Sequence, residues 1–125
     1  MKKLMMIALI AMPFVANADR ESQERIDDAC MDQAKVFSVV AYQSAQFYPD
    51  KDLAVKQADW AARQVNKESP NIAFARRIVE EIFRNSPMRR VFRDGHDLDF
   101  MWPYYQNCRD EPENYLSDYN SIKKG

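Results

Sequence analysis

Glycine is almost missing from this chain: among 125 residues only Gly95 and Gly125 lack a side chain. A phosphate-cradling loop needs several glycines close together, so phosphate-loop chemistry is excluded. The glycine-flanked serine elbow of a hydrolase is excluded with it. Histidine occurs once, at His96 in RDGHDLD, beside Asp94, Asp97 and Asp99. One imidazole makes a poor zinc site, and these acids lack the alternating register of a calcium loop. The stretch reads as a solvated turn whose aspartates cap the next helix, with no metal or other cofactor expected. Cysteine occurs twice, at Cys30 and Cys108, without a CxxC pair. Carboxylate pairs such as Asp27-Asp28 and Glu80-Glu81 are adjacent and diverge around a helix rather than converging on one bond. No catalytic residue is therefore assigned, and the chain is expected not to be an enzyme. Runs of alternating β-branched residues, internal repeats and low-complexity segments are also missing, which leaves an all-α fold.

The first eighteen residues read as an export leader. Lys2 and Lys3 precede an apolar run from Leu4 to Val15, and Ala16-Asn17-Ala18 supplies small residues for cleavage after Ala18. The run falls short of the roughly 20 apolar residues that span a bilayer, so no membrane anchor is expected. No cysteine follows the cleavage site and no twin arginine precedes the run, which points to the general export route into a bacterial periplasm. The remaining 107 residues, Asp19 to Gly125, suffice for one domain with a formal charge of −3. In an oxidising compartment Cys30 and Cys108 are expected to form a disulfide.

Apolar residues from Ser22 to Tyr48 fall at Ile26, Ala29, Cys30, Ala34, Phe37, Val40, Ala41, Ala45 and Tyr48, steps of three and four that define a helix. Val36, Val39 and Phe47 widen its apolar arc, so it sits centrally or packs on a second copy, and homodimerisation stays open. Pro49 stops it, and Asp50 or Asp52 can cap a second helix to about Lys67, with Val55, Ala58, Ala62 and Val65 inward and Leu53 and Trp60 flanking. Ser69-Pro70 and Ser86-Pro87 read as capped restarts. The first opens a helix burying Ile72, Ala75, Ile78, Val79, Ile82 and Phe83, with Glu80 pairing Arg84 or Arg76 on its outer side. The second opens a short helix through Met88, Val91 and Phe92 that ends at a left-handed Gly95. Pro103 belongs in the first turn of a helix starting near Phe100 to Trp102, which aligns Met101, Tyr104, Tyr105 and Cys108. Residues 112–125 have partial helical spacing and are expected to be partly loose. The expected fold is a compact four- to five-helix bundle closed by one disulfide.

Charge is segregated along the chain. Arg76 to Arg93 holds six arginines against two acids, whereas Asp94 to Asp118 holds seven acids against Arg109. Either the acidic segments fold beside the basic middle and neutralise it, or the basic edge steers a charged partner. Arg89, Arg90 and Arg93 beside the Gly95 turn are the candidate edge, and Trp102 is the aromatic with the best claim to a partner; Trp60, Tyr104 and Tyr105 read as core. The net charge and the compartment argue against nucleic acid.

An export leader, a cysteine early in the first helix, restart prolines and a terminal Tyr-x-x-Cys (Tyr105 to Cys108) together resemble small exported helical proteins of bacteria. Some of these are immunity proteins that protect against peptidoglycan-degrading type VI secretion effectors. The resemblance implies a periplasmic binding protein that inhibits a cell-wall hydrolase; the alternative is a general envelope chaperone or stress protein.

Overall fold

The computed structural model describes the backbone of residues 2–125 and the side chains of residues 20–125. The expected leader and the expected cleavage after Ala18 lie outside the described side chains. The elements are α1 (Lys2–Phe47), α2 (Lys51–Val65), α3 (Ile72–Arg84), α4 (Ser86–Asp94), α5 (Asp97–Asp110), α6 (Pro112–Tyr115) and α7 (Tyr119–Lys124), with no strand among the described residues. The fold is all-α, as the periodicity requires, with five substantial helices and two short ones. Among the described residues no helix is long and apolar enough to cross a membrane.

α1 is the spine, and every other helix packs against it. Its wide apolar arc is thereby covered within the chain. The main core joins Val36, Val40, Ala41 and Ala45 of α1 to Ala54, Ala58, Ala61 and Ala62 of α2, to Ala75, Ile78, Val79 and Ile82 of α3, and to Phe92 of α4. The alanine seam between α1 and α2 lets two backbones approach closely, which favours dispersion contact over side-chain bulk. A smaller core lies towards the start of the described side chains: Ile26 and Cys30 of α1 meet Cys108 and Leu116, flanked by Tyr104, Tyr105, Tyr115, Tyr119 and Ile122. The Cys30–Cys108 disulfide sits in this smaller core, fully buried, and ties α5 to α1.

Asp50 caps α2 as expected, its carboxylate accepting from the Leu53 N–H at 3.1 Å. The two restarts are corrected. Asn71, not Ser69, caps α3 by accepting from Phe74 N–H, and Asn85, not Ser86, caps α4 by accepting from Met88 N–H. In each case an asparagine next to the serine-proline pair reaches the N–H three residues on, and Pro87 still falls in the first turn of α4. Gly95 is not left-handed: its φ of −100° and ψ of 178° are extended. Its lack of a side chain serves a close approach instead, since a Cβ there would lie 2.5 Å from Phe100 Cζ.

α5 begins at Asp97, before the expected start, so Pro103 lies inside the helix rather than in its first turn. Pro103 is exposed, so the carbonyl that loses its donor lies towards water, where the loss costs least. Residues 112–125 contain two short helices, α6 and α7. The tail is pinned when Arg25 Nε donates to the Ile122 carbonyl at 2.9 Å and Nη2 to that of Lys123 at 2.8 Å. Gln33 Nε2 adds bonds to the Tyr115 carbonyl at 2.6 Å and to the Tyr104 hydroxyl at 2.8 Å.

Candidate functional site

α5 carries an apolar row whose Leu98 and Trp102 no described residue covers. Asp97 and Asp99 in its first turn complement the positive end of the helix dipole, and the Asp97 carboxylate accepts from the Leu98 N–H at 2.9 Å. Successive steps of four, three and four then align Leu98, Trp102, Tyr105 and Arg109. Leu98 is 60% exposed and Trp102 is 52% exposed. Tyr105 meets the Trp102 ring edge-on with centroids 5.7 Å apart. Arg109 lies over Tyr105 at 5.4 Å and donates from Nε to Asp27 at 2.9 Å, so the row ends in a polar anchor onto α1. The Asp27 carboxylate raises the Arg109 pKa above its ordinary value.

The opposite side of α5 faces inward. Tyr104 stacks on Phe37 with centroids 4.5 Å apart, Phe100 contacts Phe92 at 4.4 Å, and Cys108 bonds Cys30. Burial raises the Tyr104 pKa. Trp102 is thus presented outward by a helix held in place at both ends.

The structure does not assemble the candidate arginine edge as one surface. Arg89 turns back onto α3, donating from Nη1 to the Ile82 carbonyl at 3.1 Å and the Phe83 carbonyl at 2.6 Å. Its guanidinium also stacks 3.8 Å from the Tyr48 ring centroid. It satisfies the free carbonyls at the C-terminus of α3, a structural duty. Arg90 and Arg93 remain exposed on α4, Arg93 within 3.3 Å of Asp94. No cation–π contact among the described residues involves Trp102, whose aromatic neighbour is Tyr105.

Part of the segregated charge is neutralised internally. Arg76 forms a two-point pair with Asp59, at 3.0 and 2.7 Å, and Lys51 reaches Glu80 at 2.6 Å. The expected pairing of Glu80 with Arg84 or Arg76 is therefore replaced by pairs between α2 and α3. The Arg76 hydrogen bond lowers the Asp59 pKa. Trp60 is corrected from core to surface, at 56% exposed, because Ala54, Ala58, Ala61 and Ala62 take the inward arc of α2. His96 is exposed at the N-cap of α5 and makes no capping bond. Among the described residues no three His, Cys, Asp or Glu side chains gather as ligands for one metal ion.

A groove that no sequence motif announces lies between α1, the end of α2 with the loop that follows it, and the tail. It encloses about 380 Å³ and has Asp32 and Gln33 on one wall. Comparison with protein-family models, with curated proteins and with solved structures returned no match to this chain.

Proposed function

We propose that this protein is an exported, non-catalytic binding protein of the bacterial periplasm that inhibits a cell-wall-degrading enzyme, in the manner of a type VI secretion immunity protein. The observation that carries the reading is the outward face of α5, where Leu98, Trp102 and Tyr105 form an apolar row on a disulfide-held helix. Preorganisation of this kind lowers the ordering cost of association, and tryptophan and tyrosine dominate the energetics of protein interfaces. The leader supports export, and the buried disulfide suits an oxidising compartment. Arg90 and Arg93 on the neighbouring helix α4 offer positive charge to a cleft whose catalytic groups are carboxylates.

The test starts from tagged protein expressed in the periplasm, with co-purified enzyme assayed for peptidoglycan hydrolysis. One hydrolase should bind with 1:1 stoichiometry and lose activity. Trp102→Ala should weaken the complex by about 30-fold or more, the effect of an interface anchor. Arg90→Glu with Arg93→Glu should slow association in low salt. Arg89 is left intact, because reversing it disturbs α3. Unchanged affinity in both variants refutes the reading. Weak binding to many unfolded clients with no hydrolase inhibited supports the chaperone alternative instead.

A further inference from the structure

The groove beside Asp32 has the makings of a ligand site, and it shares no residue with the α5 face. Its apolar lining comes from Ala29 and Val36 of α1, Ala62 and Val65 of α2, and Leu116 and Ile122 of the tail. Its volume of about 380 Å³ lies within the range of small-molecule sites, roughly 300–1,000 Å³. The polar groups decide what it can hold. Arg25 is held to the tail, its Nε and Nη2 donating to carbonyls of α7. Asn66 and Asn71 spend their side-chain oxygens on the N–H groups of Ser69 and Phe74. The Asp32 carboxylate, by contrast, is partly buried and has no ion-pair or hydrogen-bond partner among the described residues. Asp118, at the N-cap of α7, makes no side-chain capping bond and also lines the groove.

Taking a carboxylate partly out of water without a hydrogen-bond partner is unfavourable, and the nearby Lys35 offsets only part of that cost. Desolvation is indeed the largest influence on Asp32 and raises its pKa. An anion is a poor occupant, since Asp32 and Asp118 outnumber Arg25 among the charged side chains of the groove. A neutral apolar molecule would leave Asp32 more desolvated than before. A cation with an aliphatic stem suits both features: its charge meets Asp32 and its methylenes lie on the alanine, valine, leucine and isoleucine wall.

We infer that this groove binds an aliphatic primary ammonium group, with Asp32 as its counter-ion. The group can come from a free diamine or from a lysine side chain within a peptide. The peptide form also offers carbonyl acceptors to the side-chain amide nitrogens of Asn66 and Asn71.

The experiment is a two-dimensional amide NMR titration of the disulfide-intact protein with pentane-1,5-diamine, with Nα-acetyl-lysine N-methylamide, and with hexanoate as the anionic control. The cationic probes should shift the Asp32, Gln33, Val65, Asn66 and Asn71 signals together, and hexanoate should not. Tighter binding of the lysine amide identifies a peptide source, and tighter binding of the diamine a free amine. Asp32→Asn should weaken either cation about tenfold or more, the effect of deleting a charge-assisted bond. Asp28→Asn, an exposed acid one turn earlier on α1, should leave affinity within about twofold, because an exposed charge acts through screened solvent. Ala29→Leu, which fills the groove and leaves the carboxylate intact, should also weaken binding and guards against an Asp32 variant that fails to fold. Absence of localised shifts with both cations overturns the inference, as does undiminished binding in Asp32→Asn or an equal loss in Asp28→Asn.

Discussion

Breaking the disulfide should open the molecule unevenly. The bridge joins residues 78 apart, and on the chain-entropy model a closed loop of that length is worth about 4.5 kcal/mol against global unfolding at 25 °C. Partial opening follows a different loop. If α1 to α4 stay folded while α5, α6 and α7 detach, the segment that the bridge constrains runs only from Asp97, the start of α5, to Cys108. Twelve residues give about 2.8 kcal/mol on the same model. The covalent tie is therefore worth less against local release than against global unfolding. The released part is, however, the part with the smaller core: Ile26, Cys30, Cys108 and Leu116 with their flanking tyrosines, against the thirteen buried residues of the main core. Cys30→Ala with Cys108→Ala should lower the urea-extrapolated stability by about 3–5 kcal/mol. Hydrogen exchange read by mass spectrometry should then show α5 to α7 exchanging well before α2 and α3. A loss below about 1 kcal/mol would show that the cross-link does not limit the unfolded chain as supposed. Equal protection of α5 and α3 in the variant would refute the two-core division.

Three further outcomes follow from individual side chains. Arg89→Ala should cost about 1–3 kcal/mol in denaturant titration, because it strips the α3 carbonyls of a charged donor and uncovers Tyr48; a loss within 0.5 kcal/mol or so would place Arg89 among ordinary surface arginines. Gly95→Ala should cost about 0.5–2 kcal/mol, as the new Cβ displaces the Phe100 ring from its contact with Phe92, partly offset by a stiffer unfolded chain. Asp32→Asn should stabilise the free protein at pH 7. The folded-state pKa of Asp32 is raised above 3.8, so the carboxylate opposes folding at high pH, and the penalty fades as pH falls through the folded value. The advantage of the variant should therefore vanish below pH 3.8, read by unfolding titrations at the two pH values. Lys35, which opposes the shift, and Asp28, which reinforces it, remain in both proteins. Asp59 runs the other way: its lowered pKa contributes stability above the unfolded value that is lost on acidification.

What the sequence made legible was whatever repeats with the helical period or is fixed by counting. The inward stripe of α3 is correct at Ala75, Ile78, Val79 and Ile82 because burial of a helix face leaves a periodic trace. The disulfide followed from an even cysteine count and the expectation of an oxidising compartment. The caps were missed where two capable residues stood close together, as at Ser69 and Asn71, since propensity does not say which side chain reaches the free N–H. Pro103 was misplaced because the rule against proline inside a helix weakens on a solvent face. Ion pairs between helices, such as Arg76 with Asp59 across 17 residues, depend on helix packing and leave no local spacing to read. The Asp32 groove was invisible for the same reason, its walls coming from three separate stretches. One signal was available: Asp32 sits at the edge of the α1 apolar arc, beside Ala29 and Val36, where an acid is out of place. For the partner surface, the sequence favoured Trp102 together with Arg89, Arg90 and Arg93, but only packing reveals that Arg89 is bound to α3.

The design of α5 explains why the disulfide lies where it does. Proline in its middle removes a hydrogen bond and lowers its intrinsic stability. Leu98 and Trp102 contribute little burial, so the helix forgoes much of the hydrophobic gain that normally holds a helix to its core. Its inner face, through Phe100, Tyr104 and Cys108, secures it to α1 and α4, and Arg109 adds one exposed ion pair to Asp27 of α1. A helix with weak propensity and a half-used apolar surface would fray from a small domain unless a covalent bond closed it down. The bridge supplies that closure at the buried Cys108, six residues beyond the exposed Trp102, and leaves Leu98 and Trp102 free. Stability alone would have favoured a polar residue at Leu98 and Trp102 and no proline between the helix ends. Exposed Leu98 and Trp102, a proline between the helix ends and a cross-link on the inner side are together what the proposed partner surface on α5 would require.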